Sequence, residues 1–452
     1  MAGPRRDTPY TSAILEVPRL PSLPTELWTR IFIECQPTDE YPLLHRTMLT
    51  TAIIYVSKEW RAMALGCGAL WASFEIVVDE YPRAGRHEEL QRRLSLWLQR
   101  SRSYPLIIAL RYTPKTLSSS SISGQRGEQI SAVVGLLAML LKHKHRFRSL
   151  RLRLPSGCLS ALQALQNGPL NLLGSLDIET VGTDVSPPLD LASIYVNWTR
   201  FTTLRLDIYP RIPVDDCYRV LSRATSMETC VMTVDGSHMP RVEPYAPVTL
   251  GNLQTLQLRF TNSSSLGFSG YSFAGLLDSL HLPRIANLDV ACLFDYDSYS
   301  ESNFLRELKS LLLRSSQSLK TLSLTNAQYN DQELLSILHE TPRISDLSLK
   351  FPLRAGEDPV SEEFIRAFIS ASKGQPLCPH LANFRLQCHG TRFTEASLVK
   401  MISSRISQTG GVEALRSFDL FSARAATTLL TTASAAWIDN GFRLTTSSMT
   451  IL

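Results

Sequence analysis

Apolar residues recur along this chain in two patterns. Near the N-terminus, Leu27, Trp28, Ile31 and Phe32 fall at i, i+1, i+4 and i+5, which puts them on one side of a helix. Pro24 suits the opening turn of that helix, because the N–H it lacks would have no partner there. Pro37, Thr38 and Asp39 break it. A second helical run covers Leu43 to Val56. Ser57 caps a third, with Trp60, Met63 and Ala64 facing inward, and Gly66 and Gly68 end it. Leu23 to Trp71 therefore reads as a compact helical module. Its apolar face is too large for so short a segment to hide, which points to a protein partner.

The second pattern is a phrase, apolar-x-x-apolar-x-apolar. It recurs as FRSLRL (147–152), LGSLDI (173–178), FTTLRL (201–206), METCVM (227–232), LQTLQL (253–258), IANLDV (285–290), LKTLSL (319–324), ISDLSL (344–349), LANFRL (381–386) and LRSFDL (415–420). Successive copies start 26, 28, 26, 26, 32, 34, 25, 37 and 34 residues apart. Amphipathic runs such as Phe304–Leu313, Asp331–His339, Phe364–Ile369 and Leu398–Ile406 lie between them. Each unit is expected to be a short strand, a turn, a helix and a return. One unit cannot bury its strand leucines alone, whereas stacked units make a continuous core and a parallel sheet. Upstream, Phe74-Glu-Ile-Val-Val reads as a strand, Glu88–Arg100 as a helix with Leu90, Leu94, Trp97 and Leu98 on one stripe, and Pro105–Tyr112 as another strand. The expected organisation is a flexible, proline-bearing leader (1–21), the helical module (22–72), a linking region with a helix and the first strands (73–145), and an irregular solenoid (146–452). Ser118–Gly124 reads as a flexible loop.

Strand residues between the apolar positions point away from the core by the period of two. Arg151, Arg153, Arg205, Asp207, Gln257, Arg259, Lys350 and Arg385 are the candidates for contact with a target. Asp177, Glu179, Asp289, Gln387 and Asp419 share their face. The mixed signs favour a protein or peptide over a polyanion, although Arg151, Arg153, Arg205 and Arg259 would also suit a phosphorylated target.

Composition narrows the choice. With 44% hydrophobic residues over 452 positions the chain can bury a large core, and a net charge of +5 does not argue for nucleic acid or an anionic membrane as the main partner. The N-terminus has no apolar core of a secretory signal, and no apolar run is long enough to span a bilayer. Eight cysteines are scattered without a Cys-x-x-Cys pair. That usage fits free thiols in a reducing, intracellular setting, cytoplasmic or nuclear.

Candidate chemistry is thin. Gly270-Tyr-Ser272-Phe-Ala274 has the outline of a nucleophile elbow, with Asp289, Asp295 and His339 later in the chain. No strand directly precedes the serine and no oxyanion motif is visible, so a plain loop is the better reading. Cys378, His380, Cys388 and His389 are four ligand types within twelve residues. Adjacent strand residues point to opposite faces, so Cys388 and His389 cannot readily share one zinc ion. The basic cluster Lys142–Arg148 reads as cations set against a helix C-terminus. No enzyme, metal or cofactor is expected.

Two resemblances join these readings. The repeated phrase resembles the leucine-rich repeat, best in residues 319–349, where Asn326 stands at that family's Asn/Cys position. Leu23-Pro24-Thr-Glu26-Leu27, Ile31-Phe32 and Val56-Ser-Lys-Glu-Trp60-Arg61 resemble the F-box, in the fungal form that continues into Leu70-Trp71 and Trp97-Leu98-Gln-Arg100-Ser101. The resemblance implies a three-helix module followed by a curved strand–helix solenoid of α/β type, with a parallel sheet on its concave face. It also implies a substrate-recognition adaptor of a cullin–RING ubiquitin ligase. Leu23, Pro24, Leu27, Ile31, Phe32 and Val56 would dock a Skp-type adaptor, and Trp60 would hold the third helix in place. The alternative is a repeat scaffold with no ligase link.

Overall fold

The computed structural model describes residues 23–36, 48–79, 86–114, 123–182, 189–191, 193–236, 244–261, 270–293, 302–315, 317–326, 330–352, 358–369, 377–406, 413–423, 433–434, 437–438 and 442–448. The leader, most of the link after the first helix, and residues 118–122 of the serine-rich run lie outside them, and the run's last two residues, Ser123 and Gly124, open a helix instead of continuing a loop.

All ten copies of the phrase are strands. They are β3 (Phe147–Pro155), β4 (Ser175–Val181), β5 (Thr203–Asp207), β6 (Thr229–Asp235), β7 (Thr255–Thr261), β8 (Asn287–Cys292), β9 (Thr321–Thr325), β10 (Asp346–Lys350), β11 (Asn383–Cys388) and β12 (Ser417–Ser422). Upstream, β1 (Ser73–Asp79) and β2 (Leu106–Thr113) join the same sheet, and β13 (Arg443–Ser448) closes it. The order in the sheet is the order in the chain, and every pairing is parallel. The short strand Ile212–Pro213 pairs beside β6 as a fourteenth member. Residues 73–145 thus supply the first two strands of one continuous sheet.

Parallel neighbours need a crossover, and helices supply most of them. They are α4 (Arg86–Arg100), α5 (Ser123–Leu141), α6 (Val214–Arg223), α7 (Gly270–Ser279), α8 (Ser302–Ser315), α9 (Asp331–His339), α10 (Glu362–Ala367) and α11 (Glu395–Ile406). An eleven-residue 3-10 segment, Ser156–Gln166, does this work between β3 and β4. Among the described residues no helix is long and apolar enough to cross a membrane.

The phrase is a packing rule. Its middle apolar residue forms one row across ten strands, from Leu150 through Leu176, Leu204 and Cys230 to Phe384 and Phe418, all buried. Its first apolar residue, from Phe147 and Leu173 to Leu381 and Leu415, is buried at the strand's entry. Register is pinned at that entry. Carbonyls of Gly174, Thr202, Glu228, Gln254, Ala286, Lys320, Ser345 and Ala382 each accept two N–H groups from the next unit. This satisfies backbone groups that would otherwise be stranded at the sheet margin. Asn326, at the end of β9, takes a left-handed backbone with φ 53° and donates its N–H to the Lys350 carbonyl. Asn is among the few non-glycine residues that tolerate this conformation.

The N-terminal module is α1 (Thr25–Glu34), α2 (Met48–Val56) and α3 (Lys58–Gly66), followed by a 3-10 turn, Gly68–Trp71. Ser57 caps α3 by accepting from the Trp60 N–H at 3.1 Å. Trp71 ties module to sheet. Its indole donates to the Ala64 carbonyl at 2.9 Å, its ring meets Trp97 at 5.0 Å, and Arg100 lies over it at 4.4 Å. Gly68 permits the approach of Tyr104, since a Cβ there would sit 2.7 Å from that ring.

Candidate functional site

Two surfaces stand out. On the helical module, Leu23, Leu27, Ile31 and Ile33 are 37–47% exposed, and Tyr55 and Val56, at the end of α2, are 79% and 60% exposed. Pro24 is exposed as well. Leu27 and Ile31 are four positions apart and share a face of α1, while Leu23 lies just before the helix, ahead of its Pro24 cap. Phe32 does not belong with them: it is 2% exposed, with its ring 4.9 Å from Trp60 and 6.0 Å from Trp28. The expectation that Phe32 docks a partner is corrected on that ground. The stripe on α1 is wide enough for one rim to enter the module's own core while the other stays outside. Ile33 and Tyr55 were not among the sequence candidates, because period alone does not separate these rims.

The second surface is the sheet face opposite the leucine rows. The predicted residues do come together there, but most arrive already paired. Arg151 meets Asp177 at 3.1 Å, Arg153 meets Glu179 at 3.3 Å, and Arg385 meets Asp419 at 3.1 Å, each pair on neighbouring strands. Asp207 holds Arg211 at 2.8 Å and Arg259 at 3.3 Å, and accepts from the Thr233 hydroxyl at 2.9 Å. Arg205 is exposed, and Gln257 and Lys350 are half-buried. Asp289 is half-buried beside Ser323. Desolvation raises its carboxyl above the usual range, opposed by the Ser323 hydrogen bond and by the charges of Arg259 and Lys350. Paired arginines keep part of their donor capacity but little net charge. The face is therefore nearly neutral and firmly positioned rather than a basic trough.

One hollow of about 350 Å³ opens on this face over β10 to β13. Its rim is a row that the outward candidates did not include: Asp346, Asn383, Ser417 and Arg443. Ser417 Oγ donates to Asn383 Oδ1 at 2.8 Å, and Asn383 Nδ2 donates to Asp346 Oδ1 at 2.6 Å. Ser345 Oγ donates to Asp346 Oδ2, also at 2.6 Å. Below this row lie Ser348, Arg385 and Asp419. The signal for the row was in the sequence. The third position of the phrase reads Ser, Ser, Thr, Thr, Thr, Asn, Thr, Asp, Asn, Ser through the ten copies.

The remaining motifs resolve into structure. Cys378 is buried with its thiol directed at the Leu338 carbonyl, Cys388 is buried, and His389 faces Thr391. Among the described residues no three metal-ligating side chains gather. In the basic cluster, Arg146 is buried and donates to Ser101 Oγ at 2.7 Å and to the Tyr104 carbonyl at 2.9 Å, while Lys144 caps the Ala164 and Asn167 carbonyls. Ser272 lies inside α7 rather than at a strand's end. No protein-family model matches the chain, and no curated protein matches it.

Proposed function

We propose that this chain is an adaptor with two docking surfaces: an F-box-like module that binds the Skp-type adaptor of a cullin–RING ubiquitin ligase, and a leucine-rich-repeat solenoid whose sheet face holds a target protein for ubiquitin transfer. The observation that carries the reading is the apolar strip of Leu23, Leu27 and Ile31, with Val56. These side chains stay exposed while Phe32 is buried against Trp28 and Trp60. Exposed apolar residues of this size, with Leu27 and Ile31 one turn apart on α1, are characteristic of a binding face. The order of strands along the chain, each beside its predecessor, supports the repeat reading of the second surface.

Co-purification tests the proposal. Full-length chain expressed in cells should bring down a Skp-type adaptor and a cullin, and Leu27→Asp with Ile31→Asp should abolish this while leaving other partners bound. If neither protein is recovered with the intact chain, the ligase link fails and a repeat scaffold without it is the surviving reading.

A further inference from the structure

The hollow over β10–β13 carries two charges that the described fold leaves unbalanced. Asp346 accepts hydrogen bonds from Asn383 and Ser345, both neutral donors, and makes no ion pair among the described residues. Arg443 is exposed and likewise makes no ion pair among them. Between these two, Arg385 and Asp419 neutralise one another. Ser417 on the rim and Ser348 below it are short, so no long side chain rises from those two positions of the lining.

Register fixes the spacing of the two charges. Asp346 aligns with Asn383, Asn383 with Ser417, and Ser417 with Arg443. Three inter-strand steps of about 4.8 Å separate Asp346 from Arg443 by about 14 Å. An extended chain advances about 3.4 Å per residue, so about four residues cover that distance. A ligand complementary to both ends carries a cation over Asp346 and an anion over Arg443. Its intervening backbone lies over the serines, within reach of the Arg385 guanidinium edge that Asp419 leaves open.

We propose that this hollow recognises an extended segment of a target protein lying across the strands, with a basic and an acidic residue four positions apart. The proposal rests on the reading that this face holds the target, and it names the chemistry of the segment held.

The test uses the full chain and fluorescein-labelled peptides in low salt, read by anisotropy. The probe Gly-Lys-Gly-Ser-Gly-Glu-Gly is compared with versions carrying Gln at both charged positions, Lys at both, Glu at both, or Lys and Glu two positions apart. The four-apart Lys/Glu peptide should bind about fivefold tighter per matched charge than the Gln version. Asp346→Arg should move the preference to the doubly acidic peptide, and Arg443→Asp to the doubly basic one. Because Arg443 is exposed on the edge strand, its variant carries the test if Asp346→Arg disturbs folding. Equal binding of all peptides, absence of binding, or a preference that neither substitution moves overturns the proposal. Recovery of a Skp-type adaptor is scored on the same preparations. A chain that recovers it yet ignores peptide charge overturns this inference alone. One that discriminates among the peptides without recovering it keeps the inference and loses the ligase link.

Discussion

Leu27 and Phe32 sit five positions apart on one short helix and meet opposite fates. Leu27 is 47% exposed and Phe32 2%. Phe32→Ala should cost about 3–4 kcal/mol by leaving a cavity against Trp28 and Trp60, seen as a lower midpoint in urea unfolding. Leu27→Asp should leave that midpoint within about 0.5 kcal/mol of the parent. Periodicity put both residues on one stripe, but which rim faces inward depends on Trp60, some thirty residues later, and no local pattern carries that. Asp289 offers a test on the sheet face. Burial raises its carboxyl, so the folded state holds the proton more tightly than the unfolded chain does. Its contribution to stability is therefore greatest in acid and falls as pH rises through the carboxylate range. Asp289→Asn should raise stability near neutral pH by about 0.5 kcal/mol or less, and the gain should vanish below about pH 4. A pH series of denaturation curves for the two proteins reads this directly.

At the scale of elements, the ten repeat strands were legible because one rule, a buried entry residue and two buried strand residues, repeats without a break. β13 was not legible. Leu444 is its one apolar residue, with Phe442 just ahead of it, and an edge strand buries too little to need more. Two cations that fasten helix ends, Arg405 and Arg314, were also invisible, since their partners are carbonyls. Arg405, on α11, is 1% exposed and donates to the carbonyls of Phe368, Leu377 and Cys378 beyond the end of α10. Arg314, on α8, does the same for Leu277, Asp278 and Leu280 around the end of α7. Arg405→Met should cost about 3 kcal/mol, because it leaves buried carbonyls without donors although the volume is nearly kept. Faster hydrogen exchange at α10 and at residues 377–381 would show the loss to be local.

For the whole molecule, one sheet of strands in chain order joins a helical module at one end to the polar hollow at the other. A single buried cluster runs from Phe32 to Phe442, so the module and the strands share a core. The shared core gives the two proposed docking surfaces a fixed spacing, as presenting a bound target to a ligase requires. The sequence carried the sheet face well, in both its inward leucines and its outward charges. It did not carry the pairing of those charges, which depends on inter-strand register and joins the mixed signs into neighbouring-strand pairs. The central claim is that the exposed strip on α1 docks a Skp-type adaptor. Its most direct test is calorimetric titration of a purified Skp-type adaptor into the full chain, the Leu27→Asp variant and the Arg443→Gln variant. The account predicts saturable one-to-one binding for the parent and for Arg443→Gln, and none for Leu27→Asp with its fold intact. Absence of binding to the parent, or undiminished binding to Leu27→Asp, would contradict it.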